Sequence, residues 1–174
     1  MGIHYKTKPR KEINRLTTIM ELYSPDQTDR DILTLLQKDA RLTYKELAAI
    51  LHLSKSPIQE RVKRLERLGF ISSIVALIDP NKFDNCMICY LQVQLTNHSV
   101  NTFKLFQQEI NKLDEVLECY HTTGGFDFML KVVARNMIAY NDFLTNKLGR
   151  LDNIGTLNSS LVITQAKRET ALPI

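Results

Sequence analysis

The segment Thr43–Ile71 constrains the fold more than any other part of the chain, because it carries two helix patterns separated by a short break. Thr43 and Glu46 stand in capping-box register, which gives the first helix a start signal. Leu47, Ala48 and Leu51 then recur at helical spacing. The interruption at residues 52–54 predicts a tight turn between this helix and the next.

The second helix of this segment is predicted to begin with Ser56 as its N-cap, Pro57 at its first position and Gln59 three residues after the cap. One face is apolar and the opposite face is polar and basic. The apolar stripe consists of Ile58, Val62 and Leu65, and the polar face of Ser56, Gln59, Glu60, Lys63 and Arg67. A short helix, a turn and a second helix with such a face predict a helix-turn-helix, whose second helix can enter a DNA major groove.

The alternative is that the basic face is merely solvated, as most such faces are. A further helix, predicted over Asp29–Asp39 with apolar residues at positions 32, 33, 35 and 36, favours the DNA-binding interpretation. Three helices are the minimum that buries a core around a reading helix.

The charge of the chain is unevenly divided. Residues 1–80 hold 14 Lys or Arg against 10 Asp or Glu, whereas residues 81–174 hold 9 of each. This asymmetry indicates a nucleic-acid-binding half and a neutral half. No apolar run approaches the roughly 20 residues of a membrane span, and no secretory signal opens the chain, so we expect a cytoplasmic, nucleoid-associated protein with no membrane partner.

Cysteine and histidine give no pattern for a metal site or for catalysis. Cys86 and Cys89 have CxxC spacing but lie at the start of a predicted strand, where residues three apart point to opposite faces. Together with Cys119 they are interpreted as small apolar fillers. The four histidines are scattered, and no nucleophile, paired-acid or phosphate-loop motif is present. We therefore expect neither a metal nor a cofactor, and no enzyme.

The second half of the chain predicts an α+β domain. A short strand over Ser73–Ile78 and a turn at Asp79–Asn81 precede it. The elements that follow are a strand at 87–95, a helix at 99–113, strands at 116–123 and 128–133, a helix at 137–148 and a strand at 157–165. This βαββαβ order is that of a ferredoxin-like split domain. Two helices on one face leave the other sheet face uncovered, which predicts oligomerisation.

These patterns divide the chain into four parts. Residues 1–25 form an N-terminal extension, in which Leu16, Ile19, Met20 and Tyr23 fit a short amphipathic helix. Residues 26–72 form the helix-turn-helix (winged-helix-like) domain, residues 73–84 a linker strand and turn, and residues 85–174 the ferredoxin-like domain.

In this arrangement the chain resembles the leucine-responsive and asparagine-responsive (Lrp/AsnC) transcriptional regulators, over about residues 28–170. The most specific matches are SPIQERVKRLERLGFI in the helix-turn-helix and HTTGGFDFMLKV, where Gly124 and the following Asp127 resemble the family's sensing loop. The resemblance implies a transcriptional regulator that forms homodimers, often assembled into octamers. It also implies a small effector, commonly an amino acid, bound between subunits. Gly125, where members often carry a polar residue, and the long N-terminal extension depart from the family pattern.

For DNA contacts we single out the residues around the start and outer face of the second helix. The helix start can approach a phosphate, and Gln59 and Lys63 can hydrogen-bond to bases. Gln59 has an equally good alternative as the capping partner of Ser56. Arg64 and Arg67 are expected on the DNA backbone, whereas Arg61 lies nearer the core and is expected to form a structural ion pair. The DNA-binding set is Ser54, Lys55, Ser56, Gln59, Lys63, Arg64 and Arg67.

For the effector we single out two segments, the second on the resemblance alone. The first offers hydroxyls, glycine backbone and a carboxylate, which suit the ammonium and carboxylate groups of an amino acid. Its alternative is an ordinary turn between strands that needs Gly for its geometry and Asp for a local hydrogen bond. The second segment is expected to close the pocket from a neighbouring subunit. The effector set is Thr122, Thr123, Gly124, Gly125, Asp127, Ile154, Gly155 and Thr156.

Two other functions compete with a sequence-specific regulator. An architectural, chromosome-compacting protein of the same build would read DNA shape rather than sequence. An enzyme of the tetrapyrrole pathway is the third reading, because some haem-pathway decarboxylases resemble this fold; His121 is the only residue that suggests it.

Overall fold

A computed structural model describes residues 23–83 and 86–174, and it divides the chain into two units. The first unit comprises the chain up to Ala76 together with Arg168–Ile174, and the second comprises Leu77–Lys167. The last seven residues therefore group with the first unit, although the sequence division places them in the ferredoxin-like domain. Of the amphipathic helix predicted around residues 16–23, all but Tyr23 lies outside the described residues.

The first unit is a three-helix body built on strong start signals. Helix α1 (Gln27–Lys38) begins with a capping box between Asp26 and Asp29, and α2 (Tyr44–Ile50) begins with the predicted box between Thr43 and Glu46. Helix α3 spans Lys55–Leu68 and ends at Gly69, whose φ of 82° suits a residue without a Cβ. The core between the helices consists of Ile32, Leu47, Ala48, Ile58, Val62 and Leu65.

The linker is not a strand. Ser73–Ile78 carries no regular secondary structure, and Ile74, Val75, Leu77 and Ile78 are all exposed. The prediction from apolar β-branched residues was wrong for this chain, because such a run becomes a strand only beside a neighbouring strand. A single turn of 3₁₀-helix at Pro80–Lys82 follows.

The second unit has the predicted βαββαβ order. Strand β1 (Met87–Leu95) leads to α4 (Val100–Ile110), then to β2 (Val116–His121) and β3 (Phe128–Ala134). Helix α5 (Met137–Asp142) continues as a π-turn to Lys147 and a 3₁₀ turn to Arg150, and β4 (Ile154–Leu161) closes the sheet. All neighbouring strands are antiparallel, in the order β2-β3-β1-β4.

The two faces of this sheet differ in burial. On β1 and β3 every second residue is buried against the helices, including Leu91, Val93, Phe128 and Leu130. The alternate residues on the opposite face are only partly buried, and Lys131 there pairs with Glu118 at 2.7 Å. The unit thus places its apolar core on one side and a half-polar sheet surface on the other, as a two-layer split domain does.

Candidate DNA-binding surface and effector site

Helix α3 presents a polar outward face and a fully buried inner stripe. Ile58, Leu65 and Val62 are buried against α1 and α2, whereas Ser56, Glu60, Lys63 and Arg67 are exposed. The spacing of the apolar residues in the sequence produces this separation, because residues three and four apart share a helix face. Gln59 is half-buried at the edge of the outward face.

The start of α3 differs from the prediction. The N-cap is Ser54 rather than Ser56, and the helix begins at Lys55, so Pro57 is its third residue and Gln59 is not the partner of a cap. Pro57 is compatible with this position, because the first-turn N–H groups have no partner within the helix. The Ser54 side chain makes no capping hydrogen bond. The α3 N-terminus therefore keeps backbone donors in its first turn, which is the feature that binds phosphate oxygens.

The turn between α2 and α3 relies on a residue that the sequence reasoning did not single out. His52 has a φ of 54°, in the left-handed region, and Leu53 donates its backbone N–H to the Ala48 carbonyl at 2.9 Å. A non-glycine residue with positive φ has no reliable sequence signal.

Two of the cations on α3 are held inside the first unit. The Arg61 guanidinium binds Asp26 at 2.7 Å and Asp29 at 2.9 Å, which is the structural ion pair expected for it. Asp29 is fully buried at the start of α1. The Asp29 backbone N–H and the Arg61 guanidinium lower the pKa of the Asp26 carboxyl. Arg61 therefore fixes α3 against α1.

Arg64 joins the same network. Its guanidinium lies 3.4 Å from Asp29 and 4.9 Å from the centre of the Tyr23 ring, which also packs edge-on against Phe70. Burial and the hydrogen bond that the Tyr23 hydroxyl donates to Asp29 raise the pKa of Tyr23. Because Arg64 is engaged by Asp29 and Tyr23, it is better suited to bracing α3 than to binding DNA.

The first effector segment is the hairpin loop between β2 and β3. The loop is closed by Thr122, which donates its N–H to the Asp127 carbonyl at 2.9 Å and its hydroxyl to the Phe126 carbonyl at 3.1 Å. Gly124 has a φ of 116°, which requires glycine, whereas a Cβ at Gly125 would meet no atom within 4 Å. Thr123 is exposed at the tip.

Asp127 ties this loop to the end of β1. Its Oδ2 accepts the Leu95 backbone N–H at 2.8 Å and lies 3.2 Å from His98 Nε2. Its own N–H donates to the Val93 carbonyl. Asp127 therefore makes the local hydrogen bond expected if this segment is an ordinary turn. A carboxylate that also binds an effector has to do so while keeping this bond.

The second effector segment lies on the other side of the same strand end. Ile154, Gly155 and Thr156 are the first residues of β4, which begins three residues before the strand predicted at 157–165. Ile154 and Thr156 pair with Leu95 and Gln94. Because β3 and β4 both run antiparallel to β1, their first residues meet at its carboxyl end. The two segments thus converge within one chain.

Sequence reasoning missed a ring cluster beside this strand end. Phe103 of α4 packs edge-on against His121 with ring centres 5.0 Å apart, and His121 stacks on Phe128 at 5.1 Å. His98 reaches both Phe103 and Asp127. Histidines scattered in the sequence give no signal of such a cluster, and the fold brings His98 and His121 together against Phe103.

The three cysteines differ in exposure, and Cys119 is half-buried. Cys89 is buried and donates its thiol hydrogen to the Tyr140 hydroxyl at 3.1 Å, whereas Cys86 is exposed and is therefore not the apolar filler that was expected. Burial, with the Cys89 contact, raises the pKa of Tyr140 to about 12. Within residues 23–83 and 86–174, no group of three or more His, Cys, Asp or Glu side chains has the geometry to hold a metal ion. No helix in those ranges is long and apolar enough to span a membrane.

Comparisons of sequence link both units to known proteins. A family model described as the Lrp/AsnC ligand binding domain matches residues 88–172, and a model described as winged helix-turn-helix DNA-binding matches residues 25–72. The leucine-responsive regulatory protein of Escherichia coli K12 is 36% identical over 149 residues, which cover 86% of this chain and 91% of that protein. The same protein from Klebsiella pneumoniae is equally similar.

Solved structures show the same likeness. A transcriptional regulator of Neisseria meningitidis in complex with L-methionine is 31% identical, with a TM-score of 0.80, over 86% of this chain and 97% of that one. An AsnC family transcriptional regulator from Agrobacterium tumefaciens is 32% identical, with the same TM-score and coverage. Escherichia coli AsnC is 29% identical, with a TM-score of 0.78, over 85% of this chain and 98% of that one.

Proposed function

We propose, since this chain belongs to the Lrp/AsnC family of transcriptional regulators, that it binds DNA through α3 and changes its DNA affinity when an amino acid binds at the carboxyl end of β1. The observation that carries the DNA-binding part is the division of the α3 cations. Arg61 and Arg64 are engaged by Asp29, whereas Lys63 and Arg67 are exposed and form no ion pair with any residue in the described ranges.

The proposed DNA contacts follow from the position of each residue on α3. Ser54, Lys55 and Ser56 stand at the helix start, where phosphate oxygens are favoured. Lys63 and Arg67 project from the outward face, and Gln59 borders it. Lys63 is placed to reach a base edge or a phosphate, and Arg67 to reach the DNA backbone. Arg64 is left out of the proposed set because its partners are internal.

The test is a pair of lysine variants. Lys63→Ala should weaken operator binding more than Lys104→Ala, which removes an exposed lysine from α4 in the other unit. If Lys63 contacts a phosphate, the slope of log affinity against log salt should fall by about one unit; if it contacts a base, sequence preference should relax at one position. Equal losses in the two variants would refute the assignment of α3 as the reading helix.

The proposed effector is an amino acid. The Neisseria regulator is solved with L-methionine, and several relatives are named for their response to leucine. The loop 122–127 and the start of β4 together offer hydroxyl, backbone and carboxylate groups around one strand end. A thermal-shift screen of the twenty amino acids tests the proposal, because a ligand of the native state raises its melting temperature. A flat screen would count against amino-acid sensing.

We also propose a homodimer, with octamers as a further assembly. The support is apolar surface: Ile74, Val75 and Leu77 are exposed in the linker, and the sheet surface opposite the helices is only half-buried. A two-fold dimer presents two copies of α3 to one duplex, so half-sites should be inverted and spaced by about 10 bp or a multiple of it. Footprinting measures this spacing. A footprint that does not depend on the DNA sequence would instead favour an architectural role.

We propose no catalytic role for the chain. The reported relatives are transcriptional regulators, and the one residue that suggested tetrapyrrole chemistry, His121, has its ring packed against Phe103 and Phe128. Absorbance spectroscopy of the purified protein after incubation with a porphyrin tests this. The Soret band of protein-bound porphyrin would favour the enzymatic function instead.

A further inference from the structure

The excess positive charge of the chain lies in a short segment that precedes the three-helix body. Residues 1–15 hold five Lys or Arg against one Glu, a net charge of +4 that equals the net charge of the whole chain. Residues 16–80 hold nine cations and nine acids, and so do residues 81–174. We call residues 6–15 the basic arm, and its cations are Lys6, Lys8, Arg10, Lys11 and Arg15.

The three-helix body offers DNA little net attraction by comparison. Asp29 engages two of the cations of α3, Arg61 and Arg64. The outward face of the helix also carries an exposed acid, Glu60, three residues before Lys63. Neutralised phosphates supply essentially all of the affinity for DNA of random sequence, so a nearly neutral body should bind such DNA weakly.

Tyr23, the first described residue, fixes the point at which the chain before it meets this body. Its hydroxyl donates to Asp29, and its ring centre lies 4.9 Å from the central carbon of the Arg64 guanidinium. The ring also packs edge-on against Phe70, just after α3, with ring centres 6.0 Å apart. The preceding chain therefore starts beside α3.

This starting point borders the outward face of α3. Arg64 follows Glu60 by four residues and precedes Arg67 by three, and residues at these spacings are neighbours on a helix surface. Lys11 stands 12 residues before Tyr23, a length that spans about 18 Å as a helix and about 40 Å when extended. One turn of the duplex is about 34 Å long, so either length reaches phosphates beside the groove that α3 would enter.

From this placement of charge we propose that the basic arm is a second DNA-binding element, which contacts backbone phosphates next to the groove that α3 enters. The inference deepens the proposed function and rests on it. Helix α3 supplies sequence preference, and the arm supplies most of the salt-dependent affinity, because phosphate contacts position a protein without reading sequence. Both matched family domains begin at or after residue 25, so the arm is an addition to them.

The test compares two variants of the full chain that have the same net charge. The arm variant carries Lys6→Gln, Lys8→Gln, Arg10→Gln, Lys11→Gln and Arg15→Gln. The control variant changes five exposed cations of the second half to Gln instead, namely Lys104, Lys112, Arg135, Arg150 and Lys167. Each variant has a formal net charge of −1, five below the +4 of the wild type, so the comparison separates arm contacts from overall charge.

Affinity is measured by fluorescence anisotropy over a salt series, with a duplex of random sequence and with the footprinted operator. Light scattering gives the number of chains in each complex, so that slopes can be expressed per chain. Thermal melting followed by circular dichroism checks that both variants fold.

The arm variant should lose much of the salt dependence of binding. Each cation that neutralises a phosphate contributes about 0.9 to the slope of log affinity against log salt, so two to five contacts correspond to about 1.8 to 4.5 units per chain. If all five contribute, the wild type loses about 500-fold more affinity than the arm variant between about 50 and 200 mM salt. The control variant should stay within about one unit of the wild-type slope. The ratio of operator to random-duplex affinity should stay within about threefold of wild type in the arm variant.

Three results would overturn the inference. A slope change below about 1.8 units in the arm variant, or an equal change in both variants, would show that the arm does not bind phosphates. Loss of the preference for the operator would mean that the arm reads bases. A lower mass with an unchanged slope would place the arm between subunits instead.

Failure of the proposed function gives a different pattern. If Lys63→Ala leaves operator binding intact while the arm variant loses salt dependence, the assignment of α3 fails and the arm remains a DNA-binding element. If the wild type binds neither duplex, DNA binding itself fails, and the arm fails with it.

Discussion

At the scale of single residues, the chemistry of the first unit depends on which cations of α3 have partners. The sequence predicted Arg61 as an inward ion-pair residue from its angle on the helix. It did not predict that Arg64 would share Asp29, because that depends on where α1 and Tyr23 pack. The helical period shows on which face of a helix a side chain lies. Its partner on another element is determined only by the tertiary structure.

Asp29→Ala should destabilise the DNA-binding unit strongly. Its carboxylate is fully buried and accepts from Tyr23, Arg61 and Arg64. Removing one partner of a buried ion pair leaves charge without compensation and costs about 3 kcal/mol or more. Urea denaturation followed by circular dichroism measures the loss. Asp31→Ala, on the same helix, is the control, because Gln27 is the only side chain bonded to Asp31 among the described residues; similar losses in both variants would show that the network contributes little.

At the scale of elements, sequence patterns succeeded where the signal lies within the element itself. Strand β1 was predicted with its observed bounds, and α2 with its capping box. The linker strand was wrong because its apolar residues have no neighbouring strand within this chain. The start of α3 was misplaced because Ser56 followed by Pro57 resembles a helix start, whereas the helix begins after Ser54. The convergence of loop 122–127 with the start of β4 required the strand order, which no local pattern contains.

Asp127 allows a structural role to be separated from effector binding. Asp127→Asn retains an oxygen that can accept the Leu95 N–H, so the variant should stay folded, but it lacks the negative charge that would attract an ammonium group. We expect the amino-acid response of DNA binding to be lost while basal DNA affinity stays near that of wild type.

Asp127→Ala also leaves the Leu95 amide without its acceptor and should cost a further 1–3 kcal/mol or so of stability. Fluorescence anisotropy with labelled operator, alongside thermal melting, separates the two effects. A normal response from the Asn variant would establish Asp127 as a turn residue only.

At the scale of the whole molecule, the linker carries a run of exposed apolar residues. Val75 is 66% exposed and Ile74 60% exposed. Contiguous apolar surface of this kind usually marks an interface. The sequence predicted the apolar character of this segment and the half-covered sheet, and the association of two copies remains a proposal.

Val75→Asp should weaken self-association, because burying an unpaired carboxylate in an apolar interface is costly. Light scattering coupled to size exclusion should show a shift toward monomer at a concentration where wild type is dimeric. Ser73→Asp adds the same charge just before the apolar run and is the control. An unchanged mass for Val75→Asp would mean that the linker is not in the interface.

The division of the first unit between the two ends of the sequence also has a consequence during synthesis. Residues 77–167 are translated, and can fold, before residues 168–174 leave the ribosome, since domains generally fold as units while the chain is made. The three-helix body therefore exists for a time without the segment that binds Gln37. The hydrogen bonds between Leu172 and Gln37 of α1 form only after residues 77–167 have been synthesised.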